Sequence, residues 1–200
     1  MDPPSNTSFS MLQGVQVQDP TQWERFSRLY SPLVVQWCRR FGISESDSPD
    51  VAQDVFRTVA SRAADFRHDR PGDTFQGWLW TITRSRSMDH FRRLAKQPVG
   101  HGGSTANVQL NQVPDHLADE CDTETFETDR QTIYTQALRL LETEFETHTW
   151  QAFVKTAVEG QAAKDVASEL SMTAGAVYNA RYKVLRRLRD EFDGMIDIDL

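Results

Sequence analysis

Apolar and aromatic residues recur along this chain at steps of three and four, and no stretch of alternating, period-two hydrophobicity competes with them. Trp23, Phe26, Tyr30, Leu33, Val34, Trp37 and Phe41 form one stripe. Val51, Ala52, Val55, Phe56, Val59, Ala63 and Phe66 form a second, and Phe75, Trp78, Leu79, Ile82 and Phe91 a third. Side chains at this spacing share one face of an α-helix, so each stripe must be covered by another. The expected fold class is therefore all-α. Local signals mark the helix ends. Asp19-Pro20 opens the first helix, Pro32 predicts a kink or a broken turn inside it, and Gly42 stops it. Ser48-Pro49 reads as an N-cap followed by proline at the first helical position. Arg70-Pro71-Gly72 is a turn, and Asp73 with Gln76 resembles a capping box for a helix running to about Leu94.

The C-terminal part repeats the pattern on a smaller scale. Ile133, Ala137, Leu138 and Leu141 predict one helix; Trp150, Phe153, Val154, Ala157 and Val158 predict another, ended by Gly160. Two closely spaced helices follow, 162–170 and 173–192. Between the halves, residues 97–128 hold Pro98, Gly100, Gly102, Gly103, Pro114 and a run of acids starting at Asp115. That is longer than a compact domain tolerates as a loop, so it reads as a flexible linker. The expected organisation is two small helical domains, 21–96 and 129–192, joined by an acidic linker at 97–128. Residues 1–20 read as a disordered extension on their polar, proline-containing start, and residues 193–200 as an acidic tail. A 200-residue chain with 38% hydrophobic residues and a mean hydropathy of −0.57 suits two small domains better than one large core.

Several classes are disfavoured. No apolar run reaches the roughly 20 residues that a membrane span needs, and residues 1–22 do not read as a signal peptide. Cys38 and Cys121 lie far apart, which suggests a reduced compartment without a disulfide framework. His68, His90, His101, His116 and His148 are scattered, and there is no phosphate loop or nucleophile elbow. No enzyme activity, metal or cofactor is expected. Glu142, Glu144 and Glu146, near a helix end, read as solvated.

The net charge of −7 argues superficially against a nucleic-acid partner, but the distribution does not. Residues 23–96 carry 13 basic and 9 acidic side chains, whereas residues 97–130 carry 1 and 7. Two basic stretches stand out, Arg84 to Lys96 and Arg181 to Arg189. In the second, Val166, Leu170, Met172 and Val177 fall where a helix-turn-helix needs apolar residues, and Ala167 falls where its helices touch. Thr173 is placed to cap the second helix, whose exposed N–H groups favour a phosphate. Ala174, Gly175, Tyr178, Asn179 and Arg181 would then face base edges, with Lys183, Arg186 and Arg187 on phosphates. An ordinary αα-hairpin with a solvated basic face fits the same pattern. In the first stretch, Trp80 lies off the inward face beside Arg84, Arg86, His90, Arg92, Arg93 and Lys96. Stacking of an unpaired base on Trp80 and packing against a neighbouring helix both fit the spacing.

These residues resemble the sigma-70-type factors, and within them the short extracytoplasmic-function group. Phe75-Gln76-Gly77-Trp78-Leu79-Trp80-Thr81-Ile82-Thr83-Arg84 is similar to that family's F-x-x-W-L-x-x-I-x-R signature, and Asp89-His90-Phe91-Arg92-Arg93 to its D-x-x-R-R continuation. Asp50-Val51-Ala52-Gln53-Asp54-Val55-Phe56 resembles the D-x-x-Q-[DE]-V-F run ahead of it, and residues 161–189 the family's C-terminal helix-turn-helix. Ser85 stands where asparagine is common, Arg181 where an apolar residue is common, and the region linking domains two and four of the large housekeeping factors is missing.

The resemblance implies a cytoplasmic initiation subunit with core RNA polymerase (the β′ clamp and β subunits) and promoter DNA as partners. Many members of the family also have an anti-sigma factor. It implies that Asp50, Gln53, Asp54 and Phe56 dock the β′ clamp coiled coil. It places Trp80, Arg84, Ser85, Arg86, Asp89, His90, Arg92 and Arg93 on the minus-ten element, and the helix from Thr173 on the minus-thirty-five element. The linker would thread through polymerase channels. If its acids mimic nucleic acid there, neutralising Asp119, Glu120, Asp122 and Glu124 should weaken polymerase binding. The rival from a different class is a stand-alone helix-turn-helix regulator whose N-terminal domain senses or dimerises.

Overall fold

The computed structural model describes residues 10–66, 74–96, 123–193 and 195–196, and every regular element among them is helical. Helix α1 is short, Met11–Gln16, with the Ser10 hydroxyl accepting from the Gln13 N–H at 3.4 Å. Here the sequence reading of residues 1–20 is corrected. Met11, Leu12 and Val15 are buried in the main core, so this part of the expected extension is packed helix. The polar composition of the segment hid three apolar residues at helical spacing. Gly14 lets α1 approach the next helix: a Cβ there would lie 2.3 Å from Gln22 Cγ.

Helix α2 spans Pro20–Arg40, opened by Asp19, whose carboxylate accepts from the Gln22 N–H at 2.9 Å. It runs unbroken through Pro32, which sits on the exposed face. Phe26, Leu29, Tyr30, Leu33, Val34, Trp37 and Cys38 line its buried face. It ends as its glycine predicts. Gly42 has a φ of +88°, and the Gly42 and Ile43 N–H groups bond back to Arg39 and Cys38 at 2.9 and 3.0 Å. Helix α3, Ser48–Arg62, begins one residue earlier than expected. The Ser48 hydroxyl is buried and donates to the Ser44 carbonyl at 2.7 Å instead of capping. A 3-10 turn, Ala63–Asp65, leads to buried Phe66.

Helix α4 spans Phe75–Lys96. Its first turn is capped by Thr74, whose Oγ1 accepts from the Gly77 N–H at 3.0 Å. The residue expected in that role, Asp73, lies outside the described residues. An aromatic cluster fixes α4 on α2 and α3. The Phe75 ring meets Phe26, Tyr30, Phe66 and Trp78 at centroid distances of 5.8, 5.5, 5.3 and 5.4 Å.

The C-terminal part holds α5, Thr123–Glu142, and α6, Thr147–Phe153, continued by one π-helical turn, Val154–Val158. Helices α7, Ala163–Glu169, and α8, Ala174–Phe192, follow. Helix α5 begins five residues before the expected end of the linker at 128; most of the linker, and the end of the tail, lie outside the described residues. Val166, Ala167, Val177 and Ala180 form a small core with Ala152 between α6, α7 and α8. Ile133, Ala137, Leu141, Leu188 and Phe192 instead join the large core of the N-terminal helices. Helix α5 packs along α2, and α8 reaches α1.

Candidate nucleic-acid interface

The third and fourth helices cross with their polar faces open to one side, forming a cleft of about 570 Å³. Arg57, Arg86, Arg92, Arg93 and Lys96 line it, against only two carboxylates, Asp54 and Asp89. The carboxylates set the spacing of the cations. Asp54 accepts from Arg57 at 2.5 Å on its own helix and from Arg93 at 3.0 Å across the cleft. Asp89 pairs with Arg86 at 3.2 Å and Arg92 at 3.1 Å. Arg86 is tied down further, its Nε donating to the Thr58 hydroxyl at 2.9 Å. The Arg92 and Arg93 side chains stay 65% and 61% exposed, so their guanidiniums remain open to an incoming anion.

Of the two candidate sets on these helices, Asp54 of the first and Arg86, Asp89, Arg92 and Arg93 of the second meet at this cleft. Asp50 and Gln53 are exposed on α3 and Asp54 is half-buried, with Gln53 accepting from Arg57 at 2.9 Å. Phe56 turns inward, edge-on to Trp23 and Phe26 at 6.3 and 5.8 Å. On α4, Ser85 is exposed, Arg84 is half-buried, and His90 lies 3.7 Å from the Asp47 carboxylate. Trp80 is half-buried, its ring perpendicular to Trp37 at 5.0 Å and tilted on Phe41 at 4.7 Å. The packing alternative therefore describes its present contacts. Arg57 was missed by sequence reasoning, whereas Lys96 was read as the end of the basic run without being assigned to the site. Arg57 falls outside the basic run, and only its position opposite Arg93 marks it.

The second basic stretch presents a different surface. The α7–α8 turn carries Ser171 at a φ of +54°, a left-handed position where glycine is usual. The Thr173 hydroxyl accepts from the Ala176 N–H at 3.2 Å and so caps α8. Ala174, Gly175, Tyr178, Asn179, Lys183 and Arg186 are exposed, and Arg181 is half-buried. Tyr182, not singled out from the sequence, lies one turn after Tyr178; the two rings are 60% and 63% exposed. Arg187 lies elsewhere, its guanidinium held between Glu144 and Glu191 at 2.8 and 2.6 Å. Helical phase explains this, because Arg187 falls beside the buried Val184 and Leu188 rather than in register with Tyr178 and Tyr182.

No group of three or more metal-ligating side chains occurs among the described residues, and none of the described helices is long and apolar enough to cross a membrane.

Residues 26–97 match the family Sigma-70 region 2. Over 63 residues the chain is 40% identical to the RNA polymerase sigma factor CnrH of Cupriavidus metallidurans, a stretch that covers 30% of this chain and 31% of that relative. The match thus spans about a third of the curated relative's length. A solved structure of CnrH in complex with the cytosolic domain of CnrY aligns over 89% of this chain and 92% of its own, at 19% identity and a TM-score of 0.36, too loose a likeness to carry the fold. The match to Sigma-70 region 2 runs over most of α2 and all of α3 and α4, the helices that carry the aromatic cluster and the cationic cleft.

Proposed function

We propose that this chain is a sigma factor that binds core RNA polymerase and directs it to promoters. The observation that carries the reading is the cleft between α3 and α4, with its excess of cations inside the segment that matches Sigma-70 region 2. Cations at such spacing neutralise successive phosphates, the sequence-independent part of nucleic-acid affinity. In this reading the outer face of α3, with Asp50, Gln53 and Asp54, docks the polymerase β′ clamp. The α4 residues Arg84, Ser85, Arg86, Asp89, His90, Arg92 and Arg93 hold the minus-ten element. Trp80 supports that face from behind, and reaches a base only if it leaves Trp37 and Phe41.

The start of α8 reads the minus-thirty-five element as duplex. A capped helix N-terminus followed by exposed Tyr178, Asn179 and Tyr182 suits a major groove. The protein works in the cytoplasm as a binding subunit without catalytic chemistry or cofactor of its own. Its two halves act as separate domains when bound. An anti-sigma factor is a further partner in this reading, as it is for many members of the family that the sequence resembles.

The test is capture of purified core polymerase by the purified chain without DNA. A sigma factor binds tightly under these conditions. A chain that binds duplex DNA but not polymerase is the stand-alone regulator instead.

A further inference from the structure

Two pairs of guanidiniums in the α3–α4 cleft are each bridged by a single carboxylate. Arg57 reaches Asp54 Oδ1 from α3 and Arg93 reaches Asp54 Oδ2 from α4, so two like charges on opposite walls close on one anion. Arg86 and Arg92 close on the two oxygens of Asp89 in the same way. Another contact crosses the cleft, Arg86 Nε donating to the buried Thr58 hydroxyl at 2.9 Å. With Lys96, five cations stand against two carboxylates, an excess of three positive charges.

Guanidiniums drawn this close repel one another unless an anion lies between them, and one carboxylate neutralises only half of each pair. Phosphate offers more oxygens and more charge than a carboxylate, and the guanidinium fork matches it bidentately. Shape selects further. A cleft of about 570 Å³ has the size of a small-ligand site, and its cations stand on both walls rather than along one ridge. A polynucleotide strand spreads its charge along its length, whereas a chain of linked phosphates gathers several charges into a span that one cleft surrounds. Arg57 makes the distinction concrete. It lies on α3, 65% exposed, outside the α4 face read as holding the minus-ten element. Arg86 is already held by Asp89 and Thr58, so little freedom is lost when a ligand arrives.

We propose that this cleft is a binding site for a small oligophosphate, a chain of linked phosphates that is either free or the tail of a nucleotide. The ligand sits between Arg57 on one wall and Arg86, Arg93 and Lys96 on the other, and the two aspartates keep the cations in place while it is absent. Because Arg86 and Arg93 serve both ligands, oligophosphate and the minus-ten element exclude each other there. That consequence alone rests on the sigma-factor reading.

The test is isothermal titration calorimetry of the full chain with sodium tripolyphosphate, at constant ionic strength so that diffuse screening is equal throughout. The expected result is saturable one-to-one binding, at least tenfold tighter than inorganic phosphate. Arg57→Ala with Lys96→Ala should weaken it at least tenfold with circular dichroism unchanged. Lys183→Ala with Arg186→Ala, on α8, should leave it as it is. Absence of saturable binding by the wild-type chain overturns the site, and so does an equal loss in the two double variants. Should the first double variant lose helicity, Lys96→Ala alone, at the last residue of α4, decides with a loss of at least threefold. Adenosine triphosphate separates the sources: affinity equal to tripolyphosphate or tighter assigns the site to any triphosphate tail, weaker affinity to the free chain, and both uphold it. Exclusion is read with core polymerase and a labelled promoter fragment at fixed free magnesium. Tripolyphosphate should displace the fragment at least fivefold more effectively with the wild-type chain than with Arg57→Ala and Lys96→Ala; equal displacement overturns the exclusion. A chain that never binds polymerase sinks the sigma-factor reading, while calorimetry still decides the site.

Discussion

Replacing Phe75 by alanine tests whether the aromatic cluster fixes α4, and with it the cationic cleft. Phe75 is 1% exposed and opens the helix that carries Arg86, Arg92 and Arg93. Its ring sits edge-on to Phe26 and Phe66, at interplanar angles of 88° and 85°. Truncating a buried phenylalanine costs about 3–5 kcal/mol in lost transfer energy and residual cavity. Aromatic pairs add about 0.5–1.5 kcal/mol beyond burial. Four rings surround this side chain, and the site lies between three helices that cannot easily collapse together, so the upper end, about 4–5 kcal/mol, is expected. Phe75→Leu keeps most of the volume and should cost about 1.5 kcal/mol or less. The assay is urea unfolding followed by tryptophan fluorescence and far-ultraviolet circular dichroism, with coincidence of the two transitions checked. At roughly 2–4 °C per kcal/mol for a chain of this size, Tm should fall by about 8–20 °C for alanine. A loss under about 1 kcal/mol for Phe75→Ala would refute the packing argument, as would equal losses for alanine and leucine.

Other consequences concern ends, turns and titration. Thr173→Ala removes the hydroxyl that caps α8 and should lower stability by about 1 kcal/mol in urea unfolding, with Thr173→Ser largely restoring it. Gly42→Ala has room for its Cβ, the nearest atom being Phe91 Cζ at 3.8 Å, so its cost of about 1–2 kcal/mol comes from the φ of +88°; a neutral result would mean that the turn relaxes. Burial pushes the Cys38 thiol up from its ordinary 9.0 to about 11. A raised thiol pKa favours the folded state fully below pH 9, and that contribution is lost as pH climbs from about 9 to 11. The alkaline fall in unfolding midpoint should therefore be smaller in Cys38→Ala, and native Cys38 should resist thiol reagents at neutral pH until the chain unfolds.

The helical class and most helix ends could be read directly from the spacing of apolar residues, because stripes, caps and glycine stops act over a few residues. What escaped the reading depends on contacts between distant segments. Nothing near Trp80 in sequence says that Trp37 and Phe41 will receive its ring. Glu144 reads as a solvated acid and nothing local marks Asp129 or Glu191; only α2, about a hundred residues away or more, turns the latter two into buried ion pairs. Met11, Leu12 and Val15 were concealed by their polar neighbours for the same reason. The cleft was legible in part. The run of arginines on α4 was visible, but its carboxylate spacers and Arg57 required the crossing of α3 and α4.

Run-off transcription with purified core polymerase and a library of random promoter DNA bears most directly on the central claim, that this cleft grips promoter DNA in the hands of polymerase. The wild-type chain should yield transcripts with defined start sites, and Arg92→Ala with Arg93→Ala should abolish most of them while retaining polymerase binding. Absence of defined transcripts from the wild-type chain, or full activity in the double variant, would contradict it.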